Sequence, residues 1–192
     1  MLKPKTKNNN LPSLQKTIVL HLAETEPKTM NETAKAISKQ YRPTWTAFKS
    51  LAKKNLITET RLRKFYRRQK YPRYWLTDKG MVMALMESAN PDKLLKQTKI
   101  LYPNAENTHC FLEIAPLIHP EVMKIAYSSI RGRDKLGINE IIILYLSQPS
   151  IAIDDKTAND FIATLKKYPN QYTMFKNIAQ KMINQLSKLI TE

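Results

Sequence analysis

Only three glycines, Gly80, Gly132 and Gly137, occur in 192 residues, and that scarcity removes whole classes of fold and chemistry. A dinucleotide-binding fingerprint cannot be written with them. The GRDKLG stretch from Gly132 to Gly137 also lacks the Lys-Ser/Thr ending of a phosphate-binding P-loop. A single cysteine, Cys110, excludes an intramolecular disulfide and any cysteine-rich zinc module, and suits a reducing cytoplasm. Hydrophobic residues make up 42%, enough for a buried core in one domain or two small ones. The longest apolar run, Ile141 to Leu146, is far too short to cross a bilayer. The Lys- and Asn-rich N-terminus has no apolar stretch of the signal-peptide kind. These exclusions leave a mainly α, basic chain, expected in the cytoplasm and away from membranes.

Helix signals are dense along the chain. Residues 1–11 are polar, basic and unpatterned, and read as a flexible arm. Leu14, Ile18, Leu20 and Leu22 suit a first helix from Ser13 to Ala23, closed by Glu26-Pro27. Thr29-Met-Asn-Glu32 has the capping-box spacing and predicts a second helix to about Lys39. Tyr41-Arg42 reads as a turn, with Pro43 at the first position of a third helix that runs to about Lys54. Thr44, Ala47, Phe48 and Leu51 form its buried stripe, and Asn55 takes the left-handed C-terminal position. Leu56 to Arg68 and Tyr71 to Leu76 alternate β-formers with basic residues and predict a two-stranded hairpin. Thr77-Asp78 caps a fourth helix from Lys79 to about Ala89, and Asn90-Pro91 restarts one from Asp92 to Tyr102. Beyond it, proline-punctuated helices are expected near 107–117, 120–131, 138–147, 155–168 and 171–190, with a short strand or extended link at 150–154.

Charge divides this chain unevenly. The 32 Lys and Arg exceed the 16 Asp and Glu by 16. Residues 1–90 hold 19 of the cations and 6 of the acids, a net of +13. The peak is the Arg61 to Arg73 stretch, RLRKFYRRQKYPR, with seven cations and no carboxylate. Seven uncompensated cations repel one another unless a polyanion answers them.

The order helix, helix, turn, helix, hairpin, helix resembles a winged helix-turn-helix domain. The stretch Pro43-Thr-Trp-Thr-Ala-Phe-Lys-Ser-Leu-Ala-Lys-Lys-Asn-Leu-Ile57 is similar to a recognition helix leading into the first wing strand. Tyr74-Trp-Leu-Thr-Asp-Lys-Gly80 resembles the return strand and the opening of the next helix. The likeness is to archaeal-type transcriptional regulators and covers residues 12–89; Asn55 stands where such proteins usually carry glycine. It implies a three-helix domain with a β-hairpin wing at 12–89, followed by a helical domain at 90–192. It further implies double-stranded DNA as the partner, with the third helix in the major groove and the wing on phosphates or the minor groove.

On the third helix, the face opposite the buried stripe carries Trp45, Thr46, Lys49, Ser50 and Lys53, with Arg42 just before it. Thr46, Lys49 and Ser50 are candidates for base edges, and Lys53 and Arg42 for phosphates. Trp45 lies at the outer edge of this register, placed for a thymine methyl, a sugar or the underside of the wing. In the wing the phosphate candidates are Arg61, Arg63, Lys64, Arg67, Arg68, Lys70 and Arg73, while Tyr74 and Trp75 read as rivets onto the core.

In the second half, Phe175, Ala179, Met182, Leu186 and Leu189 follow 4-3-4-3 spacing, with Ile178 beside them. That apolar stripe is a candidate homodimer contact. His109 and Glu113 stand four apart, near Cys110 and His119. The spacing can serve zinc or iron, but Cys110 points elsewhere on such a helix, so packing is favoured and neither metal nor cofactor is expected. No nucleophile elbow, zinc-protease motif or carboxylate pair supports an enzyme. The rival expectations are a chromosome-organising or plasmid-maintenance protein with weak selectivity, and a winged-helix protein-interaction module.

Overall fold

The computed structural model describes residues 11–60, 71–118, 120–129 and 154–190. Among them are nine α-helices and a two-stranded antiparallel sheet. The helices are α1 (Ser13–Glu24), α2 (Met30–Ala36), α3 (Tyr41–Lys53), α4 (Asp78–Met86), α5 (Pro91–Leu101), α6 (Glu106–Ile114), α7 (Pro120–Ser129), α8 (Asp155–Lys166) and α9 (Pro169–Ile190). The strands are β1 (Ile57–Glu59) and β2 (Tyr74–Leu76), and a short 3-10 turn, Ala115–Leu117, follows α6. The helix expected at 138–147 and residues 150–153 of the expected extended link fall outside the described residues, as do residues 1–10 of the expected arm and residues 61–70 of the expected hairpin.

Local signals explain most boundaries. The Thr29 hydroxyl accepts from the Glu32 amide (3.1 Å) and the Glu32 carboxylate accepts from the Thr29 amide (2.8 Å), closing the expected capping box. Asn90 and Asp154 cap α5 and α8 with a side-chain oxygen alone, accepting from Lys93 N and Thr157 N. Helix α3 departs from the expectation. It begins at Tyr41, so Pro43 is its third residue and Tyr41-Arg42 is helix, not turn. Proline is tolerated there because the amides of a helix's first turn have no intrahelical acceptor to lose.

Three helices end alike. The residue after the C-cap of α2, α3 and α4 has positive φ: Ser38 (55°), Asn55 (55°) and Ser88 (71°). Around each, two backbone bonds close the exposed carbonyls, as with Leu56 N to Leu51 O (3.0 Å) and Asn55 N to Ala52 O (2.9 Å). These endings stop α2 and α4 about three residues before the expected positions.

Strands β1 and β2 pair in the register Ile57 with Leu76, Thr58 with Trp75 and Glu59 with Tyr74. A bond from Thr60 N to Arg73 O (2.9 Å) extends the ladder by one step. Lys28, just before α2, also bridges Tyr74 from the other side, an addition the Glu26-Pro27 reading did not foresee. Trp75 is wholly buried, and its indole N–H donates to the Leu22 carbonyl (2.7 Å) and the Thr25 carbonyl (3.1 Å) at the end of α1. Tyr74 meets Phe48 of α3 edge to face at 5.4 Å. Both aromatics therefore fasten the sheet to the helices, as expected of them.

Gly80 lies at the tightest point. A Cβ there would stand 1.9 Å from the Leu56 carbonyl oxygen. The same oxygen accepts from Thr77 N (3.1 Å), and the Thr77 hydroxyl donates to Asn55 O (2.7 Å) while accepting from Gly80 N (3.0 Å). The Leu-Thr-x-x-Gly string is thus a clamp between the end of α3 and the start of α4. The buried cluster itself runs unbroken from Ile18 to Leu165, across residue 90. Leu94 is fully buried, Lys93 pairs with Glu24 of α1 (3.0 Å), and Tyr102 lies against the Trp75 ring at 5.8 Å.

Candidate nucleic-acid interface

Helix α3 presents two opposed faces. Thr44, Ala47, Phe48 and Leu51 are buried, the stripe the sequence predicts. Opposite them Arg42, Trp45, Thr46, Lys49 and Lys53 are exposed. Arg42, Lys49 and Lys53 make no ion pair with a described residue, whereas Lys16, Lys28, Arg73, Lys93, Lys99 and Lys167 each meet a carboxylate. Lys49 Nζ lies 3.7 Å from the centroid of the Trp45 ring, which is 38% exposed. A cation over an indole face is held by the ring quadrupole without its charge being neutralised. The exposed Thr46 donates its hydroxyl to the Arg42 carbonyl (3.2 Å), which leaves the hydroxyl oxygen able to accept a further bond.

Two expected site residues are engaged within the fold. Ser50 is half-buried and its hydroxyl accepts from Gln15 Nε2 of α1 (3.0 Å), while Lys54 Nζ donates to Gln15 Oε1 (2.8 Å). This bridge sets the angle of α3 on α1. Arg73 donates to the Pro27 carbonyl (2.6 Å) and to Glu32 Oε1 (2.8 Å), with its side chain 13% exposed. It ties β2 to α2 and is not a free cation of the wing. Burial pushes the Glu32 carboxyl up, but bonds from Thr29 and the Arg73 and Lys28 charges outweigh that and hold it below its ordinary range. Arg61, Arg63, Lys64, Arg67, Arg68 and Lys70 lie outside the described residues.

Sequence reading missed the company Trp45 keeps. Tyr41 opens α3 and Tyr71 precedes β2, and with Met30 and Pro72 they line a groove of about 480 Å³ beside Trp45. Tyrosine at a helix start and tyrosine before proline in a hairpin carry no periodic signal that would join them.

Compared with protein-family models, curated proteins and solved structures, the chain finds no match.

Away from α3, the His109–Glu113 cluster is a packing hub. Glu113 accepts from Lys99 Nζ (2.9 Å), Lys167 Nζ (3.2 Å) and the Tyr168 hydroxyl (2.7 Å). Burial pushes its carboxyl up, yet those three bonds and the Lys99 charge hold it down at about 2. Burial, with the Glu113 charge, pushes the Cys110 thiol up to about 12, so it stays protonated and unreactive. His109 is buried with no hydrogen-bond partner for its Nε2 among the described residues, and His119 lies outside them. Among the described residues no group of three or more His, Cys, Asp or Glu could hold a metal ion, and no helix is long and apolar enough to cross a membrane.

Proposed function

We propose that this protein is a winged-helix transcriptional regulator that binds double-stranded DNA, with α3 in the major groove and the basic hairpin 61–73 on phosphates or the minor groove. The observation that carries the reading is the outward face of α3. Three cations without carboxylate partners among the described residues, a threonine and a tryptophan share one face of a helix whose opposite face is locked into the core. Such a helix reads bases from a fixed position and holds phosphates at its flanks. Thr46 offers a methyl for thymine contact and Lys49 a donor for guanine, while Arg42 and Lys53 serve the backbone. Arg73 is withdrawn from the wing contacts because its guanidinium is occupied by Pro27 and Glu32.

Helix α9 supports a homodimer. It has 22 residues against 12 in its neighbour α8. Phe175 meets Phe161 at 5.9 Å. Further along, Ile178, Ala179 and Met182 stay only half-buried and Ile183 is 56% exposed. Leu186 and Leu189 continue the stripe in sequence. Two copies joined along this helix would bring two α3 helices to neighbouring half-sites.

Selection from random duplexes, followed by titration across salt, tests the proposal. An enriched motif is expected, with Thr46→Val or Lys49→Ala changing the preferred bases. Arg67→Ala/Arg68→Ala should weaken all sequences alike and lower the log–log salt slope by about 0.9 per lost phosphate contact. Tight binding with no enriched motif would replace the regulator with an architectural DNA binder. No duplex binding at low salt would leave a protein-interaction module. A mass measurement giving a monomer at micromolar concentration overturns the dimer.

A further inference from the structure

Exposed large apolar side chains converge on one place. Among the described residues there are five: Tyr41 (53% exposed), Trp45 (38%), Tyr71 (67%), Ile100 and Ile183. Three of the five, all aromatic, line the same groove with Met30 and Pro72. Its volume of about 480 Å³ is in the range of small-ligand sites. Thr29 and the exposed Asn31 stand at its edge and supply polar groups beside the rings. Tyr41 and Trp45 are one helical turn apart on α3, the exposed Arg42 follows Tyr41 in the chain, and Lys49 Nζ lies 3.7 Å from the Trp45 ring centroid.

Flat, exposed rings beside cations without carboxylate partners match one chemistry closely. A nucleobase stacks on an aromatic face while the phosphates joined to it meet the cations. A paired base inside a duplex cannot do this, because both of its faces are already stacked. We infer that the groove of Tyr41, Trp45 and Tyr71 receives an unpaired base of a DNA strand, so that the protein prefers DNA carrying unstacked bases to the intact duplex. The occupant is a base and not an apolar peptide because residues 1–90 carry a net charge of +13, which selects a polyanion. The inference rests on the DNA-binding reading but makes a separate demand. A blunt duplex engages α3 and the hairpin without filling the groove, and a frayed or tailed one fills the groove as well.

The two tryptophans supply the readout. Trp75 is wholly buried and bonded to α1, so quenching by a stacked base reports on Trp45. A short oligothymidylate should quench this fluorescence in the wild type and not in Trp45→Phe. A hairpin duplex with an unpaired tail should bind about tenfold more tightly than its blunt counterpart, the size expected of one or two stacked bases. Tyr41→Ala/Tyr71→Ala, at exposed positions, should bring that ratio of tailed to blunt affinity within twofold. Equal affinities for tailed and blunt DNA overturn the groove and leave the duplex reading standing. Quenching by oligothymidylate without blunt-duplex binding does the reverse. Shielding of Trp45 from acrylamide that grows with protein concentration in the absence of DNA would place a second copy in the groove, and overturn the inference.

Discussion

At Gly80 a single hydrogen atom decides whether α4 can start where it does. With a Cβ standing 1.9 Å from the Leu56 carbonyl oxygen, Gly80→Ala must push the strand or the helix aside and loosen the Thr77 bonds as well. Chemical denaturation should show a loss of about 2–3 kcal/mol, within the range for overpacked sites. Ser88 is the converse case. Its φ of 71° is one that only glycine adopts without steric cost, and its side chain is exposed. Ser88→Gly should therefore stabilise by about 1 kcal/mol, read as a raised denaturation midpoint at an unchanged m-value. The two residues differ in legibility. Asn55 was readable as a left-handed position because asparagine is a known occupant of it, whereas serine at 38 and 88 sends no such signal. The necessity of Gly80 could be suspected from its motif, but the carbonyl that enforces it is 24 positions away in the chain.

Elements were legible where one face was buried and one cap was local. The stripe of α3 and the capping box of α2 depend on residues within a turn of each other, and both match the sequence reading. Ion pairs across elements do not share that property. Arg73 looks like any other cation in a basic hairpin until Glu32 and Pro27, some forty residues earlier, are folded onto it. Ser50 is likewise removed from the outward face by Gln15. The consequence is a contrast between two cations. Arg73→Ala leaves Glu32 without its partner and should cost about 1–3 kcal/mol in stability. Lys49→Ala, on the exposed face, should change stability by less than about 0.5 kcal/mol while altering the DNA binding proposed for α3. Thermal melts and binding titrations on the pair separate anchoring from recognition. A binding defect in Arg73→Ala that persists at temperatures where it is fully folded would return that residue to the wing.

Across the whole molecule, Glu113 joins distant parts of the chain, since Lys99 comes from α5 and Lys167 and Tyr168 from the junction of α8 and α9. Its carboxyl is held at about 2 against an ordinary 4.5. On acidification the unfolded chain takes up this proton before the folded one does. The hub's contribution is therefore intact above about pH 5 and is lost progressively as pH falls toward 2. Both lysines are about half-exposed or more, which limits the contribution to roughly 2 kcal/mol. Glu113→Gln should be less stable than wild type at neutral pH and converge with it near pH 2, as followed by denaturation at a series of pH values. Parallel curves for the two proteins would remove Glu113 from that role.

The unbroken cluster from Ile18 to Leu165 bears on how the chain can be dissected. Cutting after Asn90 would strip Leu94 and Tyr102 from the surfaces of α1 and Trp75 and leave fresh apolar area facing water. A fragment of residues 12–89 should then aggregate or melt well below the full chain, although its sequence reads as a self-contained unit. Nor can α3 be swung on a hinge at residue 90, because that joint is filled with packed side chains. On the proposed dimer, a signal reaching the second half would alter the spacing between the two protomers, as a caliper is set, and not the shape of either jaw.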